Sequence, residues 1–218
     1  MSVKIRAVVF DCDGLMFNTE EIFHEATHTL LRRRGKVPTA EMFHQMMGRR
    51  AEESFQVLID HNGLDETFES IRVEYFEIFF ALIERSIAPM PGLLELLDHL
   101  EVRNLPKGVA TSSERSYLQK LLGRFELTSR FHMMLTAEDV TRGKPNPEIY
   151  LRAAELLEVE PAEMLVLEDS EAGTRAAAAA GAHIISVPHE HSRHQDFSSA
   201  RAMARGLHDP VIRSLLEA

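Results

Sequence analysis

Four short groups of residues along this chain combine side-chain types that do chemistry. The first is Asp11-Cys12-Asp13-Gly14. Two carboxylates one residue apart can divide labour, one staying ionised beside a metal while the other cycles its proton. Gly14 then lets the backbone turn without a Cβ clash. Thr111-Ser112-Ser113, Lys144-Pro145 and Glu168-Asp169-Ser170 follow. Each group has a purely structural reading. Asp-x-Asp-Gly makes turns, Thr111 and Glu114 have the spacing of a helix capping box, a lone lysine is usually solvated, and Asp169 or Ser170 would cap a helix. Together they form a different set: a carboxylate nucleophile, an acid/base partner, hard oxygen ligands for magnesium, and cationic and hydrogen-bond donors for equatorial oxygens. That set is the inventory for moving a phosphoryl group. The metal would also screen the repulsion between nucleophile and substrate.

These groups need rigid supports. The apolar run Ile5 to Phe10 reads as a strand buried on both faces, so both acids emerge where it ends, at the edge where open parallel sheets bind ligands. Further buried strands are expected at Lys107 to Thr111, Met133 to Thr136, Met164 to Leu167 and Ile184 to Val187. Helices are expected between them, at Leu93 to Val102, Glu114 to Phe125, Asn146 to Leu157 and Glu171 to Ala180. Repeated β-α units of this kind predict an α/β fold with a doubly wound parallel sheet. From Asn18 to about Arg85 the pattern is helical only, with the longest helix over Glu66 to Arg85, and Pro89-Met90-Pro91-Gly92 ends it. The expected organisation is therefore a core of residues 1–17 and 88–218 and an inserted helical domain of residues 18–87, placed to act as a lid over the acids. Gln195 to Ala218 reads as mostly helical closure of the core.

Composition narrows the partners. The chain has 218 residues and a formal net charge of −10, which argues against nonspecific binding to a nucleic-acid backbone and leaves a small anionic substrate only if its site carries local positive charge. No segment has the length of a membrane span, and no signal peptide is visible. The single cysteine, Cys12, precludes an internal disulfide and fits a reducing, cytoplasmic compartment. It is expected to be a core filler. His189, His191 and His194 form a cluster after the fifth strand that is weakly compatible with a transition metal.

The order of the four groups resembles the motifs of the haloacid dehalogenase-like superfamily, over about residues 4 to 188, and the helical insertion resembles its cap domain. The resemblance implies a Rossmann-like core in which Asp11 attacks phosphorus and becomes an aspartyl phosphate. It makes Asp13 the acid and base. Thr111, the backbone around Ser112, and Lys144 would hold the phosphoryl oxygens. Asp11, the carbonyl of Asp13 and Asp169 would ligate Mg2+, with Glu168 acting through water. The presence of Asp13 favours phosphate ester chemistry.

Within the superfamily the chain most resembles the β-phosphoglucomutase-like branch of sugar-phosphate and small-metabolite phosphatases. A mutase uses a linker histidine and a cap arginine. Here Phe23 occupies the histidine position with His24 one place beyond, and Ala51 occupies the arginine position in Gly48-Arg49-Arg50-Ala51. His24, Arg49 and Arg50 are the candidate cap contacts to substrate. The expectation is a Mg2+-dependent phosphatase for a small phosphorylated metabolite, a sugar or polyol phosphate, acting as a monomer or weak dimer without nucleic acid or membrane. A phosphomutase and a non-catalytic phosphometabolite-binding protein are the alternatives.

Overall fold

In the computed structural model the described residues are 4–46 and 51–217. They fall into two compact units, Met1–Asn18 with Pro89–Ala218, and Thr19–Ala88.

The first unit is built on a parallel sheet. Its strands are β1 (Ala7–Phe10), β2 (Lys107–Ala110), β3 (Met133–Leu135), β4 (Met164–Glu168), β5 (His183–Ser186) and β6 (Ala202–Met203), in the order β3-β2-β1-β4-β5-β6. Every pairing is parallel. All four residues of β1 are buried, as a central strand covered on both faces requires. Within that apolar run the faces still alternate. Ala7 and Val9, with Met164 and Val166 of β4, belong to a core cluster that also contains Ile149, Tyr150 and Ala153, and Ala176, Ala177 and Ala180.

Those last residues come from two helices that follow strands. With α1 to α4 reserved for the second unit, the helices of this unit are α5 (Leu93–Val102), α6 (Arg115–Arg124), α7 (Glu148–Leu156), α8 (Glu171–Ala180) and α9 (Pro210–Leu216). The alanine-rich sequence of α8 suits close approach to the sheet. Its start is set by the Ser170 hydroxyl, which accepts from the Gly173 N–H at 3.1 Å, and its end by Gly181 in the left-handed region. Helix α5 buries Leu93, Leu96, Leu97 and Leu100, the i, i+3, i+4, i+7 stripe of an amphipathic helix.

The tail corrects one sequence expectation. Residues 195–218 do not close the core by helix alone, since β6 adds a sixth parallel strand at the edge before α9 begins. Two residues flanked by Arg201 and Ala204 carry no apolar run for a sequence reading to find. Backbone bonds from the Arg201 N–H to the Ile184 carbonyl and from the Ala204 N–H to the Ser186 carbonyl hold the strand in place.

The second unit is helical, as the sequence pattern predicts: α1 (Thr19–Arg32), α2 (Ala40–Met46), α3 (Ala51–Asn62) and α4 (Phe68–Ser86). Ile22, Ala26 and Leu30 of α1 and Ile71, Tyr75, Ile78 and Leu82 of α4 are buried. Tyr75 gathers the aromatic packing, with ring centroids 5.8 Å from Phe23, 5.1 Å from Phe55 and 5.9 Å from Phe79. Met42 and Met46 are core residues here, in keeping with gap-filling methionine. Met47 and Gly48 lie outside the described residues.

Candidate active site

Asp11 follows the last residue of β1, and its N–H donates to the Leu167 carbonyl of β4 at 3.0 Å. Because β1 lies between β2 and β4, Thr111 arrives on one side of it and Glu168 on the other. The chain leaves β1 toward β2 and later crosses to β4, so this edge is the point at which the direction of winding reverses, where open α/β sheets form ligand crevices.

A tight turn then places Asp13. The Met16 N–H donates to the Cys12 carbonyl and the Gly14 N–H to the Phe17 carbonyl, while Gly14 adopts φ +75°. Gly14 is required twice over, since a Cβ there would also lie 2.3 Å from Asp169 Oδ2. The Asp13 carboxylate accepts from the Ser113 hydroxyl at 2.6 Å, the Tyr117 hydroxyl at 3.2 Å and the Thr111 hydroxyl at 3.3 Å. Cys12 between the two acids is fully buried, and burial, then Asp13 and Asp11, push its thiol well above the ordinary range, so it is no nucleophile.

Lys144 reaches the other carboxylate. Its ammonium donates to Asp11 Oδ1 at 2.5 Å, Glu168 Oε1 at 2.6 Å and the Ala110 carbonyl at 3.0 Å, matching three protons to three acceptors. The Glu168 side chain is fully buried and saturated: Oε1 also accepts from the Tyr150 hydroxyl at 2.7 Å, and Oε2 accepts from the Asp169 and Ser170 N–H groups and the Ser170 hydroxyl. Helix α8 can pack this close only because Gly173 lacks a side chain, since a Cβ there would fall 1.7 Å from Glu168 Oε1.

Negative charge is in excess. Burial opposes the Lys144 ammonium, but Asp11 and Glu168 outweigh it and hold it protonated. One lysine cannot neutralise Asp11, Asp13, Glu168 and Asp169 together. Burial, with Glu168, Asp169 and Asp13 adding to it and Lys144 opposing, pushes the Asp11 carboxyl well above its usual range. A divalent cation would relieve that imbalance, and the groups suit a hard one: carboxylate oxygens of Asp11, Asp169 and the already hydrogen-bonded Glu168 all lie within 4.8 Å of one another.

The structure thus brings Asp11, Asp13, Thr111, Lys144, Glu168 and Asp169 to one sheet edge. Ser112 is at the same edge with its side chain exposed, and the neighbouring Ser113 is the serine whose hydroxyl contacts Asp13. His24 belongs to α1 of the helical unit, where its ring lies 3.9 Å from that of Phe43. Arg49 and Arg50 lie outside the described residues. Four site contacts were not foreseen: Ser113, Tyr117, Tyr150 and His189, whose Nε2 is 2.9 Å from Asp169 Oδ2. Ser113 precedes α6 and Tyr117 lies in its first turn, so no helical spacing links them, while His189 belongs to the histidine cluster after the fifth strand. Tyr150 carried no local signal.

A six-stranded parallel sheet with acids at the ends of two adjacent strands and a buried lysine between them is a Rossmann-like α/β core. The chain belongs to the haloacid dehalogenase-like hydrolase family, whose model matches residues 8–187. It is 30% identical to a phosphorylated carbohydrates phosphatase of Thermotoga maritima, across 81% of this chain and 82% of that protein. It is 32% identical to the validoxylamine A 7'-phosphate phosphatase of Streptomyces hygroscopicus subsp. limoneus, across 97% and 95%. Among solved structures it resembles a candidate beta-phosphoglucomutase from Thermotoga maritima, with a TM-score of 0.79, 28% identity, and coverage of 98% of this chain and 97% of that one. No helix among the described residues is long and apolar enough to cross a membrane.

Proposed function

We propose that this protein is a Mg2+-dependent phosphatase that hydrolyses a small phosphorylated metabolite, a sugar or polyol phosphate, through an aspartyl phosphate on Asp11. The observation that carries the reading is the separation of the two acids: Asp11 contacts Lys144, while Asp13 is held by three hydroxyls on the β2 side. That separation supports attack by Asp11 and proton transfer by Asp13.

In this reading an Asp11 carboxylate oxygen forms a bond to phosphorus as the ester P–O bond breaks, and Asp13 gives its proton to the leaving oxygen. Asp13 then takes a proton from the water that attacks the phosphoenzyme, releasing inorganic phosphate and restoring Asp11. Lys144, Thr111 and the backbone around Ser112 hold the phosphoryl oxygens. Asp11, Asp169 and the Asp13 carbonyl would hold magnesium, with Glu168 acting through water because both its oxygens already accept several bonds. When bound, the metal supplies positive charge that offsets the repulsion between a carboxylate and a phosphate dianion. The helical unit is assigned the role of a cap that selects substrate, with His24, Arg49 and Arg50 as its candidate contacts. The lone buried cysteine fits a cytoplasmic setting.

By their names, the two relatives described above act on phosphorylated carbohydrates and on the 7'-phosphate of validoxylamine A, which supports a sugar or polyol phosphate here. The likeness to a candidate β-phosphoglucomutase keeps a phosphomutase as the second reading. Phosphate release from a panel of sugar and polyol phosphates, nucleotides and phosphoglycolate, with Mg2+ and with chelator, tests both. Release that needs Mg2+ and vanishes in a folded Asp11→Asn variant is expected. Isomerised sugar phosphate without free phosphate would replace the phosphatase reading with the mutase, and an active Asp11→Asn variant would end the nucleophile assignment.

A further inference from the structure

His189 lies outside the four motifs, yet its ring meets one of the site's acids. Its side chain is 14% exposed and Nε2 is 2.9 Å from Asp169 Oδ2. The opposite ring nitrogen settles which atom carries the proton. Nδ1 lies 3.1 Å from the backbone N of His191 and accepts its hydrogen, so in the neutral ring the proton is on Nε2 and is donated to Asp169. The loop is built to hold that orientation: the His189 N–H donates to the Ser192 hydroxyl at 3.1 Å, and the Ser192 and Arg193 N–H groups return to the His189 carbonyl. Ser192 is buried. The Asp13–Gly14 turn closes over the pair from the other side, since a Cβ on Gly14 would come 2.9 Å from His189 Nε2 as well as 2.3 Å from Asp169 Oδ2.

We propose that His189 is a positioning residue for the cation site: its Nε2–H fixes the rotation of the Asp169 carboxylate, so that Asp169 is already oriented toward the cation shared with Asp11. Groups that orient a ligand from behind it affect metal affinity nearly as much as the ligand itself. The inference rests on the magnesium reading above, and it differs from a transition-metal role for the histidine cluster because His189 spends Nε2 on a carboxylate and Nδ1 on the backbone.

Calorimetric titration of Mg2+ into the full-length protein tests it, paired with the Mg2+-dependent rise in melting temperature for wild type, His189→Ala and His189→Gln. Glutamine keeps an N–H donor of similar reach. The expected result is about tenfold weaker Mg2+ binding in His189→Ala, recovered in large part by His189→Gln, with the metal-free melting temperatures alike. In turnover assays the Mg2+ half-saturation point should move by the same factor, while KM for substrate at saturating Mg2+ stays within about twofold. Unchanged Mg2+ affinity in His189→Ala would overturn the assignment. So would equal losses of affinity and metal-free stability in both variants, which would make His189 a loop-packing residue. Failure of the wild type itself to bind Mg2+ would overturn the magnesium reading and this inference with it.

Discussion

The Tyr150 hydroxyl gives Glu168 Oε1 a neutral donor beside the Lys144 charge, and its ring lies under the ammonium at 5.2 Å. Both groups are fully buried, so each needs its partner where water cannot replace it. Tyr150→Phe removes the donor while keeping the ring and nearly all its volume. The expected cost is about 1.5–3 kcal/mol, the range for a hydrogen bond to a charged group. Urea unfolding monitored by circular dichroism measures it. A variant as stable as the parent would show that Lys144 and the backbone donors suffice to hold Glu168. Nothing local in the sequence pairs them, because Tyr150 and Glu168 are brought together only when α7 packs against the sheet.

Helix α5 is tied to the entry of β2 by an ion cluster. Arg130 grips Glu101 with two nitrogens, each at 2.8 Å, and the buried Lys107 ammonium lies 3.1 Å from the same carboxylate. The Arg130 hydrogen bonds, opposed by burial and helped by Lys107, lower the Glu101 carboxyl from the ordinary 4.5 to about 2. The folded state therefore binds fewer protons than the unfolded state between those values. Glu101 contributes stability that is fully present above pH 4.5 and is lost as pH falls toward 2. Its side chain is 43% exposed, so solvent and salt weaken the effect. In unfolding measured from pH 6 to 2.5 at low salt, Glu101→Gln should decline less steeply with acid than the parent. Parallel acid limbs for the two proteins would refute the linkage. Lys107 was legible as part of a buried strand, but its partner on the preceding helix was not.

At the scale of the molecule, a net charge of −10 surrounds a site meant for an anion. The general field repels a phosphate dianion, and local cations must overcome it. Added salt screens the long-range repulsion more than it screens buried contacts. At fixed free Mg2+ and substrate well below KM, kcat/KM for a dianionic substrate should rise about twofold between about 10 and 150 mM NaCl. A steep fall would mean that an exposed cationic surface steers the substrate instead. The division into two units concerns the same scale: the helical block and the α/β core have their own buried sets, visible in the sequence as a switch from alternating β-α units to helix alone.

The order of strands and helices as far as β5, the helical insertion and the four chemical groups are legible in the sequence, because each is encoded within a few consecutive residues or in one periodicity. Ile5 to Phe10 announces a central strand whatever surrounds it, and Asp11 must follow where it ends. The tertiary structure decided what depends on residues distant in the chain. It brought the Ser113 hydroxyl to Asp13, gave Glu168 a tyrosine, added a two-residue edge strand too short to have a pattern, and turned one histidine of a cluster toward Asp169. The physical reason is reach. Side-chain hydrogen bonds of 2.6–2.9 Å across 18 to 100 residues of chain arise only when packing has placed both backbones, and nothing local in either partner records the other.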